Sequence, residues 1–177
     1  KSSSTWRPVI EGLAEGFVIA SNEFGVKIVG GDTNEAGELV IDCTMIGFPR
    51  FKVPTRNGAK PGDFVIVSGA FGFAPAGLAI LLQDANAITL SSSSFRKHAV
   101  KSVLEPHPRQ SFGLALARYF SSSIDSSDGL AVSLYELASQ GEDVDITIYS
   151  IPVVSGFNKF AQDNNLDTDE LLFHGGE

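Results

Sequence analysis

Two short segments of the sequence carry residue types that could bind phosphate through a metal ion. In the first, Gly30 and Gly31 precede Asp32 directly after an apolar run. Adjacent glycines let the backbone approach a phosphate closely and present amide N–H groups to it. A carboxylate that follows them can hold Mg²⁺, which binds carboxylate and phosphate oxygens together. The alternative is an ordinary loop in which Asp32 is a turn residue.

The second segment places two carboxylates three residues apart at the start of a predicted helix. Asp125 and Asp128 flank two serines, and Gly129 follows. The spacing can bring both carboxylates to one side of a first helical turn, whose free N–H groups can bind an anion. The segment could therefore collect Mg²⁺ and a polyphosphate. In the alternative, Asp125 or Ser127 caps the helix and Asp128 adds charge to its first turn.

Other candidate motifs are weaker or absent. Arg56 and Lys60 lie in a segment rich in proline and glycine. An arginine there could neutralise a transferring phosphoryl group, although a solvated basic linker is the alternative. His107 stands between two prolines in a rigid turn, with no Ser or Cys nucleophile arranged around it. The glycines of residues 69–77 lack the dinucleotide spacing, and no Gly-Lys-Ser/Thr follows them, which excludes a conventional P-loop kinase.

Length and composition limit the class of protein. The 177 residues correspond to one or two domains, and 43% apolar residues are ordinary for a globular chain. Thirteen cations against 21 acids give a net charge of −8, so we expect no nucleic-acid partner. The lone Cys43 excludes an internal disulfide and fits a reducing cytoplasm, and we expect it to be a buried core thiol. The uncharged residues 64–83 predict a strand, a loop and a helix rather than a membrane span.

Apolar periodicity predicts the elements that must position these segments. Helices are predicted over residues 8–24, 75–83, 95–104, 111–120, 129–139 and 153–162. Strands are predicted over residues 26–29, 39–47, 64–67 and 144–149. Their alternation indicates an α/β or α+β class with mixed sheets. Residues 49–62 carry four of the cations among prolines and glycines, and they are the best candidate for a domain boundary.

Five segments in this order resemble the thiamine-monophosphate kinases, of the aminoimidazole ribonucleotide synthetase-like superfamily. They cover residues 28–33, 56–69, 106–109, 124–130 and 174–177. The resemblance implies two α/β domains, with residues 1–57 in an N-terminal ATP- and Mg²⁺-binding, dimerising domain and residues 58–177 in a C-terminal domain. It also implies that further segments of both domains lie outside this sequence. The implied homodimer would form through a shared β-barrel, and we expect residues 39–47, which carry only Asp42 as an acid, in its interface.

The resemblance also implies an activity and residue roles. The activity is ATP-dependent, Mg²⁺-assisted phosphorylation of thiamine monophosphate to thiamine diphosphate, in the cytoplasm and without a membrane partner. The implied Mg²⁺ ligands are Asp32, Asp125 and Asp128, which with Arg56 form the catalytic set. The implied nucleotide contacts also include Gly31, Arg56 and Ser127, and Glu177 would lie near the thiamine end. Ser126 departs from the family, which usually has an apolar residue there, and Asn34 replaces a common Thr or Ser.

Two alternatives are open at this point. One is a sister ATP-using synthetase that acts on a ribonucleotide amide or on selenide. Such enzymes carry a different segment where residues 125–130 lie. The other is a non-catalytic nucleotide-binding scaffold, and the loss of the aspartates would have supported it, whereas Asp32, Asp125 and Asp128 are all present.

Overall fold

The computed structural model describes residues 6–82 and 92–177. The chain divides into two compact units, Lys1–Phe48 and Pro49–Glu177. The assignment of residues 1–57 and 58–177 to two domains of the family stays a prediction. Within the described residues, no helix is both long and apolar enough to cross a membrane.

The first unit is built on helix α1 (Arg7–Phe24), which confirms the helix predicted over residues 8–24. Pro8 lies in its first turn, where the missing N–H costs no hydrogen bond. The helix ends at Gly25, whose φ of 64° is left-handed, and its N–H bonds back to the Ser21 carbonyl. Because glycine adopts this conformation without a steric penalty, the helix stops where the sequence predicts.

Residues 26–48, all of which the structure describes, contain no helix and no hydrogen-bonded strand. The strands predicted over residues 26–29 and 39–47 are therefore not formed. A strand requires a neighbour that completes its hydrogen-bond ladder, and alternation in one segment cannot supply that neighbour. The apolar side chains consequently stay in solvent, with Val29 and Phe48 95% and 93% exposed. The prediction of a buried Cys43 is wrong for the same reason, because this thiol is exposed.

The second unit is mainly helical in its described part. Its helices are α2 (Phe73–Leu82), α3 (Ser93–Leu104), α4 (Gln110–Leu116), α5 (Leu130–Gln140), α6 (Phe157–Asp163) and α7 (Thr168–His174). Short 3-10 turns cover Arg56–Gly58 and Ala117–Tyr119. Helices α2 to α6 overlap the five helices predicted for this part of the chain, whereas α7 was not predicted. The predicted C-terminal end of the second helix, residue 83, lies outside the described residues.

The strands predicted over residues 64–67 and 144–149 are also not formed. Between described residues of this unit, the only β-type pairing is two isolated parallel bridges, Thr55 with Ser122 and Phe71 with Val153. The second bridge has two backbone bonds, since the Phe71 N–H donates to the Pro152 carbonyl at 2.8 Å and the Val154 N–H donates to the Phe71 carbonyl at 2.9 Å. This bridge fixes the loop before α2 against the segment before α6.

The core of the second unit lies where α2, α3 and α6 meet. Phe157 and Phe160 are fully buried, and Ala76 and Ala99 are buried on α2 and α3. The side chain of Ser92 caps α3 by accepting from the Phe95 N–H at 3.0 Å. Core burial and the Phe71–Val153 bridge hold the start of α2 in place, and Glu177, described below, is bound at that end of α2.

Candidate functional site

The loop that carries Asp125 and Asp128 comes directly before α5. The Ser127 hydroxyl donates to the Asp125 carboxylate at 2.6 Å, and the Gly129 N–H donates to the Ser126 carbonyl at 3.2 Å. The hydrogen bond from Ser127 is the main reason that the pKa of Asp125 lies below its ordinary value, and the charge of Arg56 contributes less. Asp125 is therefore ionised at neutral pH, as a metal-binding carboxylate must be.

These acids do not cap the helix, so the alternative interpretation of this segment is wrong. Helix α5 begins at Leu130, and its N-cap is Gly129, with φ of 100° and no side-chain cap bond. Asp125 and Asp128 are both exposed. Neither carboxylate therefore terminates α5, and both are accessible from solvent.

Ser133 is a site residue that sequence reasoning missed. This buried side chain places its hydroxyl 2.9 Å from the Asp125 carbonyl and 3.0 Å from the Gly129 carbonyl, and it can donate to either. It therefore ties the carboxylate loop to the first turn of α5. The sequence does contain a signal for it, because Ser133 lies on the same helical face as the apolar residues Leu130, Leu134 and Leu137.

Arg56 lies beside this loop, as the two segments were expected to act together. Its guanidinium lies 4.0 Å from the Asp125 carboxylate and 4.0 Å from that of Glu136 on α5. Half-exposed ion pairs of this length contribute little to stability. Their consequence is that the positive charge of Arg56 lies next to the loop that carries Asp125. The Ser122 hydroxyl bonds to the carbonyls of Thr55 and Arg56 at 2.8 Å, which fixes the turn that carries Arg56. Sequence reasoning missed Glu136.

Asp32 belongs to the first unit. Its carboxylate accepts from the Thr33 N–H at 2.8 Å and from the Asn34 side-chain amide at 3.1 Å, and it is exposed. Gly30 and Gly31 are open, because a Cβ on either would meet nothing within 4 Å. Among the described residues no three His, Cys, Asp or Glu side chains form a metal-binding cluster. A metal site that combines Asp32 with Asp125 and Asp128 therefore stays a prediction.

The donor chemistry of the second unit suits Mg²⁺. This ion binds proteins through one or two carboxylates and keeps several waters and substrate phosphates as its other ligands. Asp125 and Asp128 offer two exposed carboxylates in one loop, the first of them held ionised. The residues present thus fit a partly hydrated Mg²⁺, with Arg56 beside them.

Ser126 carries a hydroxyl that has no hydrogen-bond partner in the described structure, although the atom is buried. A buried hydroxyl without a partner costs about 1–3 kcal/mol of desolvation. We expect Ser126→Ala to raise the free energy of unfolding by about 1 kcal/mol, measured by urea denaturation. Exposed Ser155→Ala is the matched control and should change stability little. A loss of stability in Ser126→Ala would show that the Ser126 hydroxyl does have a hydrogen-bond partner.

Comparison with known proteins finds one matching family and several relatives. The family described as AIR synthase related protein, N-terminal domain, matches residues 1–48. A thiamine-monophosphate kinase of Nitrosopumilus maritimus is 40% identical over 175 residues, which cover 99% of this chain and 54% of that protein. One from Pyrococcus horikoshii is 37% identical over 76% of this chain and 41% of its own length. One from Escherichia coli is 36% identical over 71% of this chain and 38% of its own.

Residues 1–48 are therefore similar to the N-terminal domain of AIR synthase related proteins, and the chain is homologous to thiamine-monophosphate kinases over nearly its whole length. The resemblance stated from the five segments is confirmed. The chain spans about half the length of the curated relatives it matches. No solved structure gives a significant match to it.

Proposed function

We propose that the protein phosphorylates thiamine monophosphate to thiamine diphosphate, with ATP as phosphoryl donor and Mg²⁺ as the metal. The observation that carries the proposal is the arrangement of Arg56, Asp125 and Ser127 in a chain homologous to kinases of this name. The two-domain organisation and the cytoplasmic location belong to the same proposal.

Phosphoryl transfer requires that the two substrates are positioned and that the charge on their phosphates is neutralised, and it does not require a protein nucleophile. A phosphate oxygen of thiamine monophosphate forms a bond to the γ-phosphorus, and the bond from that phosphorus to the ADP oxygen breaks. Mg²⁺ would supply positive charge for the phosphate oxygens. Asp125 and Asp128, with Asp32, would hold the metal, and Arg56 would face the nucleotide. Gly31 and Ser127 would contact ATP, the first through its open backbone.

A product assay tests the proposal. The whole protein is supplied with thiamine monophosphate, ATP and Mg²⁺, and nucleotides and thiamine species are separated by chromatography. We expect thiamine diphosphate and ADP in equal amounts. Turnover of a ribonucleotide amide or of selenide without thiamine diphosphate would overturn the proposal in favour of a sister synthetase. Nucleotide binding without turnover of any of these substrates would overturn it in favour of a scaffold.

We further propose a homodimer with residues 39–47 in its interface. Val40, Met45 and Ile46 are 72%, 78% and 80% exposed, and burial against a second copy would remove this apolar surface from water. We expect light scattering of the whole protein at micromolar concentration to give twice the monomer mass. Ile46→Asp should shift that mass toward the monomer, whereas exposed Glu38→Asp should not. A monomeric wild-type protein would refute the dimer.

A further inference from the structure

The carboxylate of Glu177 is bound at the start of α2, 105 residues away in the chain. One of its oxygens accepts from the Gly72 N–H at 2.7 Å. The N–H groups of Ala74 and Phe73 also bond to this carboxylate, and the guanidinium of Arg109 attracts it. Burial raises the pKa of Glu177 above its ordinary value, and these four groups oppose that rise. The carboxylate of Glu177 thus faces three backbone donors and a cation, although the residue as a whole is exposed.

The two glycines before Glu177 are pressed between α2 and the carboxylate loop. A Cβ on Gly175 would lie 2.3 Å from the Cβ of Pro75, in the first turn of α2. A Cβ on Gly176 would lie 2.0 Å from the carbonyl oxygen of Ser127. Only a chain without side chains at both positions fits between these surfaces.

The backbone of the same segment is joined to the carboxylate loop. The Glu177 N–H donates to the Ser126 carbonyl at 3.1 Å. A Cβ on Gly129 would lie 2.8 Å from the Phe173 carbonyl, so the two segments also touch at the other end of the loop. Residues 175–177 therefore connect the start of α2 to the loop that carries Asp125 and Asp128.

We infer that Glu177 is a positioning residue, whose carboxylate anchors residues 175–177 to α2 and thereby holds the Asp125–Gly129 loop in place for metal and nucleotide. The inference rests on the proposed function, and it gives Glu177 a role other than direct contact with the thiamine end. A carboxylate suits the position because both oxygens accept. A glutamine would turn one NH₂ group toward donors, whereas an aspartate would keep the charge with one methylene less reach.

Glu177→Gln and Glu177→Asp test the inference in the whole protein, with Glu170→Gln as matched control. Glu170 is an exposed acid in the first turn of α7. We expect Glu177→Gln to lower kcat/KM for ATP about tenfold and to raise the Mg²⁺ concentration for half-maximal rate, with KM for thiamine monophosphate unchanged. Glu177→Asp should restore part of both losses, and the control should match the wild type.

Two measurements need no turnover. Amide hydrogen exchange should become faster in Glu177→Gln at residues 72–74 and at residues 126–129, and calorimetry should show weaker Mg²⁺ binding. These results would support the positioning role even if the wild type made no thiamine diphosphate. The role of Glu177 and the proposed kinase activity can therefore be rejected independently of each other. A raised KM for thiamine monophosphate alone, with wild-type exchange at residues 126–129, would overturn the inference. If Glu177→Gln does not fold, the same readouts on Glu177→Asp decide it.

Discussion

Asp128→Asn is expected to lower kcat by about a hundredfold or more while the melting temperature stays at the wild-type value. The loss follows because a neutral amide oxygen cannot offset the charge of a bound Mg²⁺. A few kcal/mol of transition-state stabilisation would disappear, and about 1.4 kcal/mol corresponds to a factor of ten in rate. Stability should not change, since Asp128 is exposed and Gly129 is the N-cap of α5. Steady-state kinetics and thermal unfolding of the same preparation check both parts.

Two further variants complete the experiment. Asp145→Asn is the matched control, because Asp145 is also an exposed aspartate outside the helices, and it should keep full activity. Asp128→Ala should lose activity at the same melting temperature, whereas a helix cap replaced by alanine would lose about 1 kcal/mol of stability. Wild-type turnover by Asp128→Asn at limiting Mg²⁺ would defeat the ligand assignment.

The helices could be predicted because their signals are local. Pro8 and Gly25 mark the two ends of α1 within the segment itself, and the apolar repeat fills the space between them. Helix α7 is short, which hides its periodicity, but Asp167 caps it by accepting from the Asp169 and Glu170 N–H groups at 2.8 and 3.0 Å. An N-cap aspartate followed by first-turn acids was the signal that could have found this helix.

The strands could not be predicted in the same way. Alternating apolar residues at 39–47 show which side chains could share a face, and they say nothing about which segment supplies the neighbouring ladder. Pairing depends on residues distant in sequence, and the described residues supply only the isolated Thr55–Ser122 and Phe71–Val153 bridges. The alternation at residues 39–47 predicted a buried strand, and this prediction is wrong, because the structure leaves these residues exposed and without a hydrogen-bond ladder.

The candidate site shows the same division between local and distant information. The pattern around Asp125 was sufficient to select it and Ser127, which bond to each other two residues apart. Arg56 was selected by its residue type, and the structure places it next to Asp125. Glu136 and Ser133 were missed because their roles depend on how α5 packs against the preceding loop. The hydrogen bond from the Gly72 N–H to Glu177 joins residues 105 positions apart. No pattern in the sequence around Gly72 or around Glu177 indicates that the two residues meet.

Gly77→Ala is expected to destabilise the second unit, although alanine is normally the better helix residue. Gly77 lies inside α2, where this helix crosses α3, and a Cβ there would be 2.0 Å from the Ala99 carbonyl oxygen and 2.8 Å from a Val103 methyl carbon. A backbone carbonyl cannot move aside as a side chain can, so the two helices must separate. Overpacking of this kind costs about 1–3 kcal/mol or more.

Gly113→Ala is the matched control within the same unit. Gly113 also lies inside a helix, α4, and a Cβ there would meet nothing within 4 Å. Helix propensity alone should therefore make this variant more stable, by up to about 1 kcal/mol. Urea denaturation of both variants measures the two changes in the free energy of unfolding, and we expect them to have opposite signs. Equal stabilisation by both substitutions would show that α2 and α3 do not pack as closely as the structure places them, because propensity acts on both glycines while the contact with Ala99 acts on one.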